Sequence, residues 1–211
     1  MDIAAVISND ATKEKTGIFF PSMFPTLSIV DPDLMMSVPP KFTAYQGMDA
    51  FFHASESVIN KNEHVVAEMF ALKAIELIAK YLPIAYKDGN NKEARYYMAI
   101  ANTLAGYYMN CISAHTMEHV MGSYHEEPMI KMARAMGVEK PTSGKDFIRA
   151  LDALLESIDC ADLKMSEAGI TREEMKLYPQ RVHEVLGGEI TADPLPLSDE
   201  DYLEIYEKSF R

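Results

Sequence analysis

The sequence contains two cysteines, Cys111 and Cys160, and neither lies in a CxxC pair. This excludes a disulfide-stapled scaffold, and we expect both residues to be buried free thiols. No apolar run is long enough to span a bilayer, and the N-terminus lacks the basic flank and apolar stretch of a signal peptide. These absences predict a cytoplasmic protein that does not bind a membrane.

Positive charge is also scarce. The chain has 20 Lys and Arg residues against 32 Asp and Glu residues, a formal net charge of −12 at pH 7. Nucleic acids and anionic membranes require clustered basic side chains, so this balance argues against both as partners. Neither of the glycine-rich phosphate-binding patterns, GxGxxG and GxxxxGK[ST], occurs in the sequence.

The composition that remains is typical of a globular chain, with 211 residues of which 48% are hydrophobic and 25% charged. Residues 1–40 carry the β-branched and aromatic residues of about three short strands. A sheet that small needs another surface to pack on. From residue 41 onward the apolar spacing is helical. We therefore predict a mainly α helical bundle, residues 41–211, with a short N-terminal β-hairpin appendage.

The helical part divides at polar and proline-rich breaks. We expect Thr43 to cap the first helix. A second helix is predicted over about 63–82, where Pro83 ends it, and a third over about 93–121. The third helix is apolar nearly all round, which indicates burial on most sides. Shorter helices follow Pro128, and we expect Thr171 to begin one of them with Glu174 as its capping-box partner.

The first helix carries a pair of residues that can bind a metal. Asp49 and His53 lie four positions apart in QGMDAFFHASES, so a helix presents both on one face. A carboxylate and an imidazole at that spacing can chelate one divalent ion. Such pairs also occur by chance, as an exposed carboxylate beside a packed histidine.

Three of the six histidines lie in SAHTMEHVMGSYHEE, residues 113–127. His115 and His119 form the HxxEH pattern with Glu118, as in inverted zincin hydrolases, where the glutamate is the general base. Core packing is the other interpretation of the two histidines, although buried imidazoles need partners for their ring nitrogens. We expect His125, Glu126 and Glu127 to form a solvated turn.

Taken together, these segments resemble a known family. The stretch DPDLMMSVPPKFTAYQGMDAFFHASES resembles the segment of the iron-containing (group III) alcohol dehydrogenases that begins their helical metal-binding domain. The stretch NCISAHTMEHVMGSYH resembles that family's second metal segment, HxxxHxxG, and SDEDYLEIYEKSFR is similar to its C-terminal helix. The resemblance implies a dehydroquinate synthase-like helical bundle, with residues 1–40 as the last strands of the nucleotide-binding domain.

The resemblance also implies a function. In that family one Fe²⁺, or sometimes Zn²⁺, polarises the oxygen of a small primary alcohol or aldehyde, while hydride moves to or from NAD(P). By motif, the metal ligands here are Asp49, His53 and His115. His119 resembles the histidine beside the substrate and nicotinamide, a candidate for proton relay.

Two departures from the family pattern qualify that function. The glycine-rich nucleotide loop is missing, so NAD(P) binding is expected only if that domain is supplied. The Pro-His-Gly motif that carries the last histidine ligand is also missing, and Met129 stands near its place. The expected protein is a metal-dependent, NAD(P)-linked alcohol dehydrogenase in abbreviated form, and whether it is active or inactive by itself stays open. The alternatives are a non-catalytic metal-binding module, which could form homodimers through its N-terminal strands, and an HxxEH zinc hydrolase with Glu118 as base.

Overall fold

The computed structural model describes residues 4–11, 14–23, 25–60, 65–106, 126–186 and 196–210. His115, His119, His125 and Cys111 therefore lie outside the described residues. The other cysteine, Cys160, is a buried free thiol, as the sequence predicts.

The chain begins with an antiparallel hairpin of two strands, β1 (Ala4–Asn9) and β2 (Glu14–Phe19). The register pairs Ala4 with Phe19 and Asn9 with Glu14. The prediction of a third short strand, near residues 26–31, is wrong, because these described residues form no strand. Residues 26–31 have no neighbouring strand in this part of the chain whose backbone they could pair with.

Helices make up most of the remaining described chain, which confirms the mainly α prediction. Short 3₁₀ helices span Pro21–Met23, Pro32–Met35 and Met165–Ala168. The α-helices are α1 (Pro40–Ile59), α2 (Val65–Lys87), α3 (Lys92–Gly106), α4 (Glu126–Ala135), α5 (Gly144–Ser157), α6 (Arg172–Met175), α7 (Tyr178–Leu186) and α8 (Asp199–Phe210).

The core lies among α1 to α5. Helices α1, α2 and α3 pack on one another, and α4 and α5 pair and close the group from one side. The Phe51 ring of α1 stacks on the Phe147 ring of α5, with centroids 6.2 Å apart and planes 6° from parallel. Burial of these apolar side chains is the main stabilising term for the bundle. Its largest fully buried apolar residues are Phe51, Phe147, Ile75, Ile78, Leu82, Met129, Met132 and Ile158.

Helices α6 to α8 form a smaller group around Met175 and Tyr202. The capping box predicted at Thr171 is confirmed. The Thr171 backbone N–H donates to Glu174 Oε2 at 2.8 Å, and the Thr171 hydroxyl accepts from the Glu174 backbone N–H at 3.2 Å. The Thr171 backbone N–H and hydroxyl both donate to the Glu174 carboxylate, and these two bonds lower the pKa of that carboxyl because they favour its charged form.

Two of the expected helix ends are wrong. Helix α1 begins at Pro40 with Pro39 as its N-cap, so Thr43 lies inside the first turn and is buried. Proline suits the first helical position, because its fixed φ matches the helix and it has no N–H to leave unpaired. Helix α2 continues through Pro83 to Lys87, since Leu82 and Ala85 are both fully buried and packing keeps the helix intact.

Candidate metal centre

Helix α1 brings Asp49 and His53 together on one face. Asp49 Oδ2 and His53 Nε2 are 3.6 Å apart, as expected for side chains one turn apart on a helix. The Asp49 side chain is 74% exposed and that of His53 is 34% exposed. Both donor atoms therefore lie where an ion and a substrate could approach from outside the core.

The separation of these two donors suits a single divalent ion. A zinc ligand nitrogen or oxygen lies about 2.1 Å from the metal, so two ligands at a tetrahedral angle lie roughly 3.4 Å apart. The observed 3.6 Å is close to that value. Imidazole and carboxylate are also the donor types that bind Fe²⁺ and Zn²⁺ in proteins. Asp49 and His53 therefore fit the group that the sequence resemblance implies.

A third polar residue, which the sequence analysis missed, lies on the far side of the same imidazole. Glu56 Oε2 is 3.7 Å from His53 Nδ1, and the Glu56 side chain is only 10% exposed. The signal for it was present, because position 56 follows position 53 by three residues and shares its helix face.

A cavity of about 330 Å³ adjoins Asp49. Charged, amide, hydroxyl and thioether residues line it, so it combines hydrogen-bonding groups with apolar surface. Its lining residues are Met35, Thr43, Gln46, Gly47, Asp49, Arg95, Met98 and Asn102.

Arg95 of α3 holds the beginning of α1 in place beside this cavity. Its residue surface is 2% exposed. The guanidinium donates from Nη1 to Thr43 Oγ1 at 2.8 Å, from Nη2 to the Val38 carbonyl at 2.8 Å, and from Nε to the Gly89 carbonyl at 2.9 Å. Burial lowers its pKa from the ordinary arginine value, because the charged form loses hydration.

Close packing against α2 fixes the position of the α1 segment that precedes Asp49. A Cβ added to Gly47 would lie 2.4 Å from Leu82 Cδ1, a distance at which something must shift. Gly47 therefore lets α1 approach α2 closely just before Asp49.

The structure corrects one further site prediction, and it also shows the environment of Met129. Glu126 and Glu127 do not form a solvated turn. They begin α4, where the helix dipole stabilises acidic side chains. Met129 is 2% exposed and packs against Gly144, so it is a core residue. In the described part of the chain, no group of three or more His, Cys, Asp or Glu side chains is arranged to hold a metal. The predicted ligand His115 and the predicted catalytic residue His119 lie outside that part.

Comparison with known proteins identifies the family of the domain that contains Asp49 and His53. Residues 43–129 match the family described as Fe-containing alcohol dehydrogenase, C-terminal. The chain belongs to the iron-containing alcohol dehydrogenase family. Asp49, His53 and the pentapeptide 115–119 all fall within the matched region, so the HxxEH pattern belongs to a dehydrogenase domain and the hydrolase interpretation gains no support.

Individual relatives extend the match over more of the chain. The 1,3-propanediol dehydrogenase of Klebsiella pneumoniae is 32% identical over 193 residues, which cover 85% of this chain and 50% of that protein. The NAD-dependent methanol dehydrogenase of Bacillus methanolicus is 38% identical over 125 residues, 58% of this chain and 33% of that protein. The chain thus spans a third to a half of the length of these curated relatives.

Solved structures support the fold assignment. An archaeal halo-thermophilic alcohol dehydrogenase from a Red Sea brine pool superimposes with a TM-score of 0.89 and 33% identity. The superposition covers 99% of this chain and 60% of that one. Separately, no helix in the described part of the chain is long and apolar enough to cross a membrane.

Proposed function

We propose that this chain forms the metal-binding part of an alcohol dehydrogenase. Asp49, His53 and His115 would hold one divalent ion, Fe²⁺ or Zn²⁺. The observation that best supports the proposal is the 3.6 Å separation of Asp49 Oδ2 and His53 Nε2, on a helix inside the region matched to the family. The open positions around such an ion suit a catalytic site.

The proposed substrates are small primary alcohols or the corresponding aldehydes, with NAD(P) as the redox partner. When bound, the ion would polarise the substrate oxygen, and the nicotinamide would exchange hydride with the substrate carbon. Asp49 and His53 would hold that ion at the exposed face of α1, where a substrate could reach it. His119 is proposed to relay the proton of the alcohol. The methanol dehydrogenase relative is NAD-dependent, which supports the cofactor part of the proposal.

We further propose that residues 1–211 bind metal but turn over alcohol only when a nucleotide-binding unit is supplied. The support is the lack of a glycine-rich phosphate-binding pattern in the sequence. Residues 1–40 are proposed to be the final strands of that unit. Steady NADH formation from a primary alcohol by the chain alone would contradict this part of the proposal.

Metal stoichiometry is the direct test of the site. The protein is loaded anaerobically with Fe²⁺ or Zn²⁺, desalted and analysed for bound metal. We expect about one ion per chain, lost in Asp49→Ala and His53→Ala. His183→Ala is the matched control, because His183 Nε2 also contacts a carboxylate, Asp199 Oδ1 at 2.9 Å, away from the site. Absence of bound metal in the unmodified protein, or its retention in both site variants, would refute the assignment.

A homodimer formed through the hairpin is proposed as the main protein partner. Val6 and Ile7 on β1 are each 55% exposed, and a two-stranded sheet leaves backbone groups unpaired along both outer edges. Sedimentation velocity over a range of concentrations tests this proposal, and a strictly monomeric protein at all concentrations would refute it.

A further inference from the structure

The His53 imidazole lies between two carboxylates that differ sharply in environment. Asp49 faces Nε2 and is 74% exposed, whereas Glu56 faces Nδ1 and is 10% exposed. All three residues belong to α1, so the helix backbone fixes their relative positions. The two ring nitrogens therefore face different carboxylates, one exposed and one buried.

The protonation of the ring decides which nitrogen can bind a metal. A neutral imidazole carries one N–H and one lone pair, and the hydrogen bond made by the N–H selects the tautomer. Metal-binding histidines almost always donate their other N–H to a carboxylate, a carbonyl or a water. At 3.7 Å, Glu56 is slightly beyond hydrogen-bonding distance from Nδ1, and such contacts commonly shorten when the site is filled.

We propose that Glu56 is a positioning residue for the metal centre, an inference that rests on the proposed function. Its carboxylate accepts the Nδ1–H of His53 and leaves the Nε2 lone pair directed toward the ion and Asp49. The opposite tautomer would place a proton on Nε2, where it would donate to Asp49 and block the metal.

The burial of Glu56 makes this role specific. Bulk water hydrates Asp49 freely, but it reaches little of the Glu56 side chain. An imidazole N–H is a donor that stabilises the charge of a carboxylate in such a buried position. Glu56 also follows His53 by three residues on a continuous helix, so few rotamers separate the two groups.

The first experiment determines the tautomer of His53 in the metal-free full chain. Long-range ¹H–¹⁵N correlation at about pH 8, where an ordinary imidazole is neutral, distinguishes the two N–H forms. His53→Ala identifies the relevant signals. We expect the Nδ1–H form to predominate in the unmodified protein and in Glu56→Gln, whose amide oxygen still accepts, and to decline in Glu56→Ala.

The second experiment measures Zn²⁺ affinity by competition with a chelator. Loss of such a carboxylate partner typically weakens metal binding by 10–100-fold, which we expect for Glu56→Ala, with a smaller loss for Glu56→Gln. Glu76→Gln, at an exposed position of α2, removes the same charge and should leave the affinity unchanged. Circular dichroism confirms that each variant is folded.

The outcomes separate this inference from the proposed function. A predominant Nε2–H form in the unmodified protein would overturn the role of Glu56, even if one ion binds per chain. Unchanged affinity in Glu56→Ala, with metal still lost in Asp49→Ala, would do the same. Absence of metal binding in every form would refute the proposed function, while the tautomer would still decide the part played by Glu56.

Discussion

The hairpin exposes apolar side chains to solvent, whereas the helical core buries side chains of the same kind. Val6 and Ile7 in β1 are more than half exposed, whereas Phe51 in α1 and Ile75 in α2 are fully buried. The helices cover one another, but the hairpin packs chiefly within itself. An apolar side chain contributes to stability only where a second layer covers it. The helices are therefore expected to be stable by themselves, while the hairpin depends on what covers it.

The largest expected effect contrasts one residue from each region. Phe51→Ala removes a ring stacked on Phe147 and should lower the free energy of unfolding by about 3–5 kcal/mol. Ile7→Ala should change it by no more than about 0.5 kcal/mol, because the side chain is already hydrated. Urea unfolding followed by far-UV circular dichroism measures both. Equal losses would show that the hairpin packs on the bundle after all.

The next effect concerns the arginine that joins α3 to α1. Arg95→Leu should cost about 3 kcal/mol, because three acceptors lose their donor in a buried setting. Arg134→Leu, at an exposed position of α4, removes the same charge and should be within about 0.5 kcal/mol of the unmodified protein. Thermal unfolding of the two variants side by side provides the comparison, and similar midpoints would contradict the anchoring role.

A smaller effect is expected on association and none on stability. Ile7→Lys adds a charge to an exposed strand, and charged side chains block strand-to-strand pairing. We expect it to abolish any concentration-dependent increase in sedimentation coefficient. Leu163→Lys is the matched control, since Leu163 is also 55% exposed but lies in a loop. Loss of association in both variants would point to general charge repulsion.

The smallest effect is a pH dependence at the start of α5. The backbone N–H groups of Thr142 and Ser143 donate to Asp146 and lower the pKa of its carboxyl. This contribution to stability is complete above the ordinary aspartate pKa, and it is lost as the pH falls through the lower folded value. Asp146→Asn should therefore be less stable near neutral pH and should converge with the unmodified protein well below about pH 4.

Acid titration of the unfolding midpoint tests that prediction. Asp152→Asn removes one charge from an exposed position of the same helix, so it separates the capping contribution from a general loss of charge. A difference between Asp146→Asn and the unmodified protein that persists at low pH would contradict the sign of the effect.

Local sequence patterns correctly predicted those features, such as helix faces and caps, that depend only on residues close together in the chain. The four-residue spacing of Asp49 and His53 correctly predicted a shared helix face, because helical geometry alone determines it. The capping box at Thr171 was predicted for the same reason. The role of Thr43 inside α1 could not be predicted from nearby residues, because its hydroxyl accepts a hydrogen bond from Arg95, 52 positions away. The continuation of α2 through Pro83 likewise depends on packing against other helices.

The metal centre follows the same division. Its two α1 donors were predictable from one segment, and Glu56 could have been found from its spacing to His53. The close approach of Gly47 to Leu82 could not be predicted from the sequence, because it depends on how α1 and α2 are placed relative to each other. Whether His115 completes the set stays a prediction.

The bonds from Arg95 to Val38 and Thr43 also have a consequence for motion. The first turn of a helix ordinarily opens and closes readily, and its amide hydrogens exchange with solvent early. Here the buried guanidinium ties that turn of α1 to α3. The Thr43 amide, which donates to the Pro39 carbonyl, can exchange only when α3 moves away. Its exchange rate should therefore report unfolding of the whole bundle rather than opening of one helix end.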